Sequence, residues 1–160
     1  MSDKHTYRVQ ATSTTLRSGL VVAEGIQPAI HFSAPPEFLG EAAKWTPEHL
    51  MISSVASCFI STFWAIADLS KLKFASLDLD AEAVLSKGEK GWEFTQIVLH
   101  PRLRILGEED RERGNRLLVK AEKNCFVARA LAIPLETQPE VILAEDRPDA
   151  QKVGESAATS

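Results

Sequence analysis

The chain has 160 residues, of which 18 are Lys or Arg and 22 are Asp or Glu, so its net charge is 18 − 22 = −4. Hydrophobic residues make up 44% and charged residues 25%, which is typical of globular proteins and excludes collagen-like, wholly disordered and disulfide-rich chains. The pI near 5.6 gives no electrostatic footprint for nucleic acid or for an anionic membrane. We therefore expect neither of them as a partner.

Targeting signals are absent from the sequence pattern. The N-terminal residues 1–5 contain no apolar segment of the kind that a signal peptide needs. Residues 49–67 come closest to a membrane span, but they include a histidine and five Ser or Thr residues, which favours a buried helix. We expect a cytoplasmic protein whose cysteines are mostly reduced.

The first 46 residues predict strands followed by a loop. Tyr7, Val9 and Ala11 alternate with polar neighbours, and residues 20–23 form a short apolar run, so both segments are expected to be strands. Residues 34–46 contain two prolines and a glycine and are expected to form a loop.

The strongest helix signal begins at Thr46. This residue can cap the helix, Pro47 suits its first position, and Glu48 lies beside the positive end of the helix dipole. The helix is expected to reach about Asp68. Its expected apolar stripe consists of Met51, Val55, Cys58, Thr62 and Ala65, and Leu50, Phe59, Phe63 and Ile66 widen it. Such broad apolarity predicts a central helix that is covered on more than one side.

A hairpin, a second helix and a last strand follow. Residues 77–86 alternate between apolar and polar, a turn lies between Gly88 and Gly91, and the return strand is expected to run to about Ile105, with Pro101 at an edge or bulge. The second helix begins near residues 108–110 and ends at Cys125. Its expected inner face consists of Leu117, Leu118, Ala121 and Cys125.

This order of elements predicts an α+β fold, without the strand–helix alternation of nucleotide-binding folds. Residues 1–144 are expected to form a single domain and residues 145–160 a flexible tail, because the tail has no aromatic residue and no core face. Residues 141–143 suggest the last strand.

The two cysteines, Cys58 and Cys125, are too far apart in sequence for a CxxC motif or for zinc-ligand spacing. Composition alone favours two buried small side chains over a redox pair. A reactive thiolate at Cys58, in mid-helix, would need a cation from elsewhere. Arg17 is the best candidate and Arg8 the competitor. Glu48 precedes Cys58 by 58 − 48 = 10 residues, or about 15 Å along the helix, so the two side chains cannot touch.

Other catalytic arrangements find little support. The four histidines are scattered without HxxxH or HExxH spacing, which argues against a metal site. The serines of the long helix lack a GxSxG elbow, which argues against a hydrolase triad.

The residues around both cysteines resemble the OsmC/Ohr family, which contains the osmotically inducible OsmC proteins and the organic hydroperoxide resistance proteins. Residues 45–50, Trp-Thr-Pro-Glu-His-Leu, and residues 56–59, Ala-Ser-Cys-Phe, are similar to the family's NPEQL…AACF helix. Residues 124–131, Asn-Cys-Phe-Val-Ala-Arg-Ala-Leu, are similar to its segment around the second cysteine, with Phe126 where many members have proline. The element order agrees over residues 6–144.

The resemblance implies an OsmC-like fold with a long central helix packed on antiparallel sheets, in an intertwined homodimer with active sites at the subunit interface. It implies a thiol-dependent peroxidase that reduces organic hydroperoxides, with Cys58 as the peroxidatic and Cys125 as the resolving residue. Glu48 would form a salt bridge with an arginine, which the Arg-x-Gly spacing places at Arg17. A dithiol or small thiol would be the reductant, and no metal or organic cofactor would be required.

Two other hypotheses remain open at this point. The chain could be a non-catalytic binding module of the same fold, with an apolar pocket at the dimer interface. It could also be a purely structural dimer whose cysteines are buried.

Overall fold

The computed structural model of the chain describes residues 3–144, and the expected tail at 145–160 lies outside these residues. Internal contacts divide the chain into two compact units, Met1–Ser53 and Ser54–Ser160. The boundary falls inside one long helix, so we describe each unit separately, and the single domain over 1–144 stays a prediction.

The first unit contains a three-stranded antiparallel sheet. Its strands are β1 (Gln10–Ser13), β2 (Ser18–Ala23) and β3 (Ile26–Ser33), in the order β1-β2-β3. The apolar run at 20–23 lies in β2, as predicted. The strand expected from Tyr7 begins only at Gln10, which pairs with Val22 of β2. Residues 3–9 form no strand.

The loop after β3 is fixed to the sheet by a buried polar cluster. The Ser18 hydroxyl donates to Ser33 Oγ at 3.0 Å and contacts the Glu41 carboxylate, and the Glu41 amide donates to Ser33 Oγ at 2.8 Å. A 3₁₀ turn at Pro36–Phe38 lies within this loop. The predicted loop over 34–46 is confirmed apart from this turn and one bridge between Phe32 and Trp45.

The long helix α1 runs over Pro47–Leu69, close to the predicted range. The Thr46 hydroxyl accepts from the His49 amide at 3.2 Å, and the Thr46 amide donates to His49 Nδ1 at 3.3 Å. These reciprocal bonds satisfy two backbone donors at the helix start. The predicted cap is confirmed, with His49 in the place that Glu or Gln takes in a capping box.

The buried stripe of α1 differs from the predicted one. Its buried residues are Val55, Phe59, Phe63, Ile66 and Ala67, whereas Cys58 is only half-buried and Ala65 is exposed. Aromatic side chains bury far more apolar area than Cys, Thr or Ala, so the two phenylalanines take the core position. The expected cover on more than one side is also absent in this chain, because Trp64 is 56% and Leu69 84% exposed.

Helix α1 alone among the helices described in residues 3–144 has the length and hydropathy of a membrane span, with 23 residues and a mean hydropathy of 1.8. The core helix of a globular domain has the same composition. Phe59 and Phe63 are fully buried, and the Phe63 ring contacts Phe74 edge-on at 5.3 Å. We therefore interpret α1 as a core helix.

The sheet of the second unit is built on a long hairpin. Strands β4 (Phe74–Gly88) and β5 (Gly91–Ile105) pair antiparallel, and the turn closes between Gly88 and Gly91 as predicted. Gly91 has φ +115°, a conformation that glycine adopts at little cost. Strands β6 (Leu135–Thr137) and β7 (Glu140–Leu143) both pair parallel to β5. The sheet is thus mixed, and the last strand is confirmed.

Pro101 lies inside β5, although the sequence predicts an edge or a bulge there. It pairs with Leu79 on one side. On the other side, β6 pairs with residues 97–99 and β7 with residues 102–105, so Pro101 faces the gap between two short strands. A residue without an amide hydrogen is tolerated there because no partner strand requires it.

Two helices pack on this sheet or beside it: α2 (Arg111–Asn124), which follows a 3₁₀ turn at Glu108–Asp110, and the short α3 (Phe126–Leu131). The predicted inner face of α2 is confirmed, since Leu117, Leu118, Ala121 and Cys125 are all buried. Gly114 lies closest to the sheet, where a β-carbon would stand 2.8 Å from Leu103 Cδ2. The helices, the antiparallel sheet of the first unit and the mixed sheet of the second unit together confirm the α+β class.

We predict that Gly114→Val destabilises the protein by about 1–3 kcal/mol, since overpacking a dense core typically has this cost. Equilibrium unfolding in urea would measure it. The matched control is Asn115→Val at the next, exposed position of α2, where valine and asparagine have similar helix propensities. Equal unfolding midpoints for the two variants would contradict the close packing at Gly114.

Candidate functional site

Cys125 lies at the break between α2 and α3. Its backbone is extended, with φ −70° and ψ 96°, which ends α2 as the sequence predicts. The side chain is only 1% exposed, and its sulfur lies 3.9 Å from the Val55 carbonyl oxygen of α1, to which the thiol donates. Cys125 is therefore held against α1 from the neighbouring helices.

The structure places Cys58 and Cys125 close enough for the charge of one thiol to act on the other, and both cysteines are free thiols. The Val55 carbonyl that Cys125 contacts lies one turn before Cys58 on α1. Burial raises the pKa of the Cys125 thiol above the usual cysteine range, and the hydrogen bond and charge of Cys58 raise it further. The amides of Ala128 and Val127 oppose this rise, although the sulfur makes no capping hydrogen bond to α3. Cys125 therefore favours the protonated form.

Cys58 differs from Cys125 in its access to solvent. It is half-buried, and its sulfur lies 3.9 Å from Thr62 Oγ1, one turn further along α1. Because the thiolate is the reactive form and must be reached from outside, Cys58 is the sulfur of this pair that an external molecule can meet.

Cys58 opens into a groove of about 710 Å³ between α1 and the α2–α3 segment. The groove is lined mainly by apolar surface, including Ile66 and Leu69 from α1 and Phe126 and Val127 from α3. Its volume lies within the range of small-molecule sites. The arrangement can therefore admit an organic molecule beside an accessible thiol that has a second thiol behind it.

Arg17 and Glu48, the other predicted site residues, both lie in the first unit. Arg17 donates from Nη1 to the Phe38 carbonyl at 2.8 Å, and it forms no ion pair with Glu48 among the described residues. Glu48 Oε2 is buried and has no hydrogen-bond partner in the part of the chain that is described. Within residues 3–144, the Arg–Glu salt bridge that the family resemblance implies is thus not formed, and Arg8, the competing candidate, also forms no ion pair with Glu48 there.

A metal site would need at least three clustered ligands. Residues 3–144 contain no group of three or more His, Cys, Asp or Glu side chains that could hold a metal ion.

Sequence reasoning did not identify Lys120, Asn124 or Phe126 as groove residues. A helical signal was available for two of them, since Lys120 and Asn124 are four residues apart and share a face of α2. What the sequence could not give is the position of that face opposite Cys58. The contact between the Cys125 thiol and the Val55 carbonyl could not be predicted either, because it depends on tertiary packing.

We predict that native Cys58 reacts with iodoacetamide at least about tenfold faster than native Cys125 at pH 7.5, since buried thiols with a raised pKa are inert. The Cys125→Ser variant reports Cys58, and Cys58→Ser reports Cys125. Labelling of Cys125 should rise as the pH increases above the usual cysteine range, because its thiolate forms only there. In urea both should react alike, and equally fast native labelling would contradict the buried position of Cys125.

Comparisons with known proteins identify the family and the fold of the chain. A family model described as OsmC-like protein matches residues 40–139. The uncharacterized protein YmaD of Bacillus subtilis is 24% identical over 143 residues, which cover 88% of this chain and 95% of YmaD.

Among solved structures, an OsmC-like protein of unknown function from Vibrio cholerae superposes with a TM-score of 0.76 at 21% identity, covering 85% of this chain and 99% of the other. An organic hydroperoxide resistance protein OsmC from Legionella pneumophila superposes with a TM-score of 0.70 at 23% identity, covering 89% of this chain and all of the other. These structures share the fold, and the family match extends over more than half of the sequence. The chain therefore belongs to the OsmC-like protein family.

Proposed function

We propose that the protein is a thiol-dependent peroxidase that reduces organic hydroperoxides at Cys58. The observation that carries this proposal is the buried Cys125 thiol, which lies against α1 one turn before the more accessible Cys58 and within range of its charge. Several family members with the same fold are called organic hydroperoxide resistance proteins. We also propose a cytoplasmic location, because thiols are kept reduced in the cytoplasm and the cycle ends with both cysteines reduced.

The first step is attack of the Cys58 thiolate on the terminal oxygen of the hydroperoxide. The S–O bond forms as the O–O bond breaks, Cys58 becomes a sulfenic acid, and the alkoxide takes a proton to leave as an alcohol. The apolar lining of the groove favours the organic part of the substrate. Cys58 is thereby oxidised by two electrons and the peroxide reduced by two.

The second step is attack of Cys125 on the Cys58 sulfenic acid. The S–S bond forms, the S–O bond breaks, and the sulfenic oxygen leaves as water. A dithiol or a small thiol then reduces the disulfide by thiol–disulfide exchange and is itself oxidised to a disulfide. Cys125 is held beside α1 for this step, since its sulfur lies 3.9 Å from the Val55 carbonyl oxygen, one turn before Cys58.

Arg17 enters the proposal as the guanidinium that stabilises the charged thiolate, and Glu48 as the carboxylate that holds this guanidinium in place by a salt bridge. The environment of Glu48 supports this role of the arginine. The buried Oε2 of Glu48 receives no hydrogen bond from the described residues, and leaving a buried carboxylate oxygen without a donor reduces stability. A bidentate guanidinium is the strongest partner that such an oxygen can receive. Arg17 would have to leave the Phe38 carbonyl to provide it.

We predict that the reduced protein consumes cumene hydroperoxide in the presence of dithiothreitol and that Cys58→Ser reduces the rate at least about a hundredfold, since the nucleophile is lost. Cys125→Ser should still perform one turnover and then accumulate sulfenic acid, which dimedone traps. Mass spectrometry after one equivalent of peroxide should show a Cys58–Cys125 disulfide in the unmodified protein.

Equal turnover by the Cys58→Ser variant would exclude the proposed nucleophile. Peroxide consumption no faster than that of a free thiol would instead favour the second candidate, a binding module. The observation that favours this alternative is the groove itself, which has the volume and apolar lining of a ligand site.

We further propose that the protein is a homodimer. Trp64 and Leu69 on α1 expose large apolar surface in the single chain, and both lie on the same helix as Cys58. Exposed apolar patches of this kind mark interaction sites, and a second copy of the chain would cover them symmetrically.

We predict that Leu69→Asp weakens the dimer, because a carboxylate would be buried in an apolar interface. Analytical ultracentrifugation at several protein concentrations would measure the dissociation constant, with an expected rise of at least about tenfold. Leu106→Asp is the matched control, since Leu106 is a comparably exposed leucine outside α1. A monomer for the unmodified protein, or equal constants for both variants, would contradict this interface.

A further inference from the structure

We infer that Lys120 is a specificity-determining residue of the Cys58 groove and gives it a preference for amphipathic molecules that carry an anionic group. This inference deepens the proposed function, because it concerns the same groove and names the charge of the molecules that the groove selects. Its test does not require peroxide turnover.

The position of Lys120 places its charge in the groove that contains the reactive sulfur. Lys120 lines this groove together with Cys58 and Asn124. It lies one helical turn before Asn124 on the face of α2 that borders the groove. The flexible four-carbon stem of lysine lets the ammonium reach a ligand at different points along the groove.

The charge of Lys120 is not neutralised within the described residues. Its side chain forms no ion pair or hydrogen bond there, and only its backbone carbonyl is engaged, accepting from Asn124 Nδ2 at 2.7 Å. None of the described residues that line the groove is acidic. Apart from the Cys58 thiolate of the proposed reaction, Lys120 therefore supplies the charge among these residues, and its positive charge attracts anions.

Two of the hydroxyl groups in the groove already donate to the backbone of α1. Ser57 Oγ donates to the Ser54 carbonyl at 3.2 Å, and Ser61 Oγ donates to the Ser57 carbonyl at 2.8 Å. Because these donors are used by the backbone of α1, the serines add little hydrogen-bonding capacity for a ligand. The groove therefore offers apolar surface for a hydrocarbon body and Lys120 for one negative group.

The experiment compares two alkylating reagents that differ in charge. Iodoacetate is anionic and iodoacetamide is neutral, so the ratio of their rates at Cys58 reports the local potential and cancels the intrinsic reactivity of the thiolate. The Cys125→Ser background ensures that Cys58 alone is labelled. We expect Lys120→Gln to lower this ratio about threefold to tenfold and Lys120→Arg to preserve it.

Lys123→Gln is the matched control. Lys123 belongs to the last turn of the same helix and is exposed, but it does not line the groove. The control removes the same charge from α2 and should leave the ratio nearly unchanged. Equal effects of the two glutamine variants would overturn the inference, because they would show only the general charge of the helix, and so would no effect of Lys120→Gln.

A second measurement tests the amphipathic ligand directly. Decanoate should protect Cys58 from iodoacetamide at lower concentration than decanol does, and Lys120→Gln should abolish this difference while Lys123→Gln retains it. Equal protection by the two compounds in the unmodified protein would overturn the inference. A protein that shows the charge effect but reduces no peroxide would retain this inference and lose the proposed function, so the two failures are distinguishable.

Discussion

The closeness of Cys58 and Cys125, which lets the charge of one thiol act on the other, is the constraint on which the site depends. Cys58 lies in α1 and Cys125 directly after α2, so their approach requires the two helices to be fixed at short range. The buried Phe59 and Phe63 fix the rotation of α1 about its axis. Gly114 allows α2 to lie close to the sheet, because no β-carbon separates it from Leu103. The chemistry at the groove is thus a consequence of core packing.

Much of the fold could be predicted from the sequence because its signals are local. Thr46 begins α1 through a cap that involves only neighbouring residues, and the alternation of residues 77–86 together with the Gly88–Gly91 turn defines the hairpin. Pro101 was misplaced for a different reason. Its tolerance depends on a gap between β6 and β7 that exists only in the assembled sheet.

The site was predictable only in part. The family resemblance implies a pairing of Cys58 with Cys125, and in the structure each lies within range of the other's charge. Spacing alone could not predict this, since the two helices are separated by the whole hairpin. Periodicity also placed Cys58 on the buried stripe of α1. This prediction was wrong because the larger side chains of Phe59 and Phe63 occupy the core. The smaller side chains of Cys58, Thr62 and Ala65 line the groove instead.

Burial of Cys125 also suggests an order for the proposed reaction. Its pKa is raised chiefly by loss of solvation and additionally by the hydrogen bond and negative charge of Cys58. While Cys58 is a thiolate, like-charge repulsion therefore favours a protonated Cys125. Oxidation of Cys58 to a neutral sulfenic acid removes that repulsion, so Cys125 ionises more readily once its target exists. The closeness of the two cysteines thus disfavours the resolving thiolate before the peroxide reacts and makes it less unfavourable afterwards.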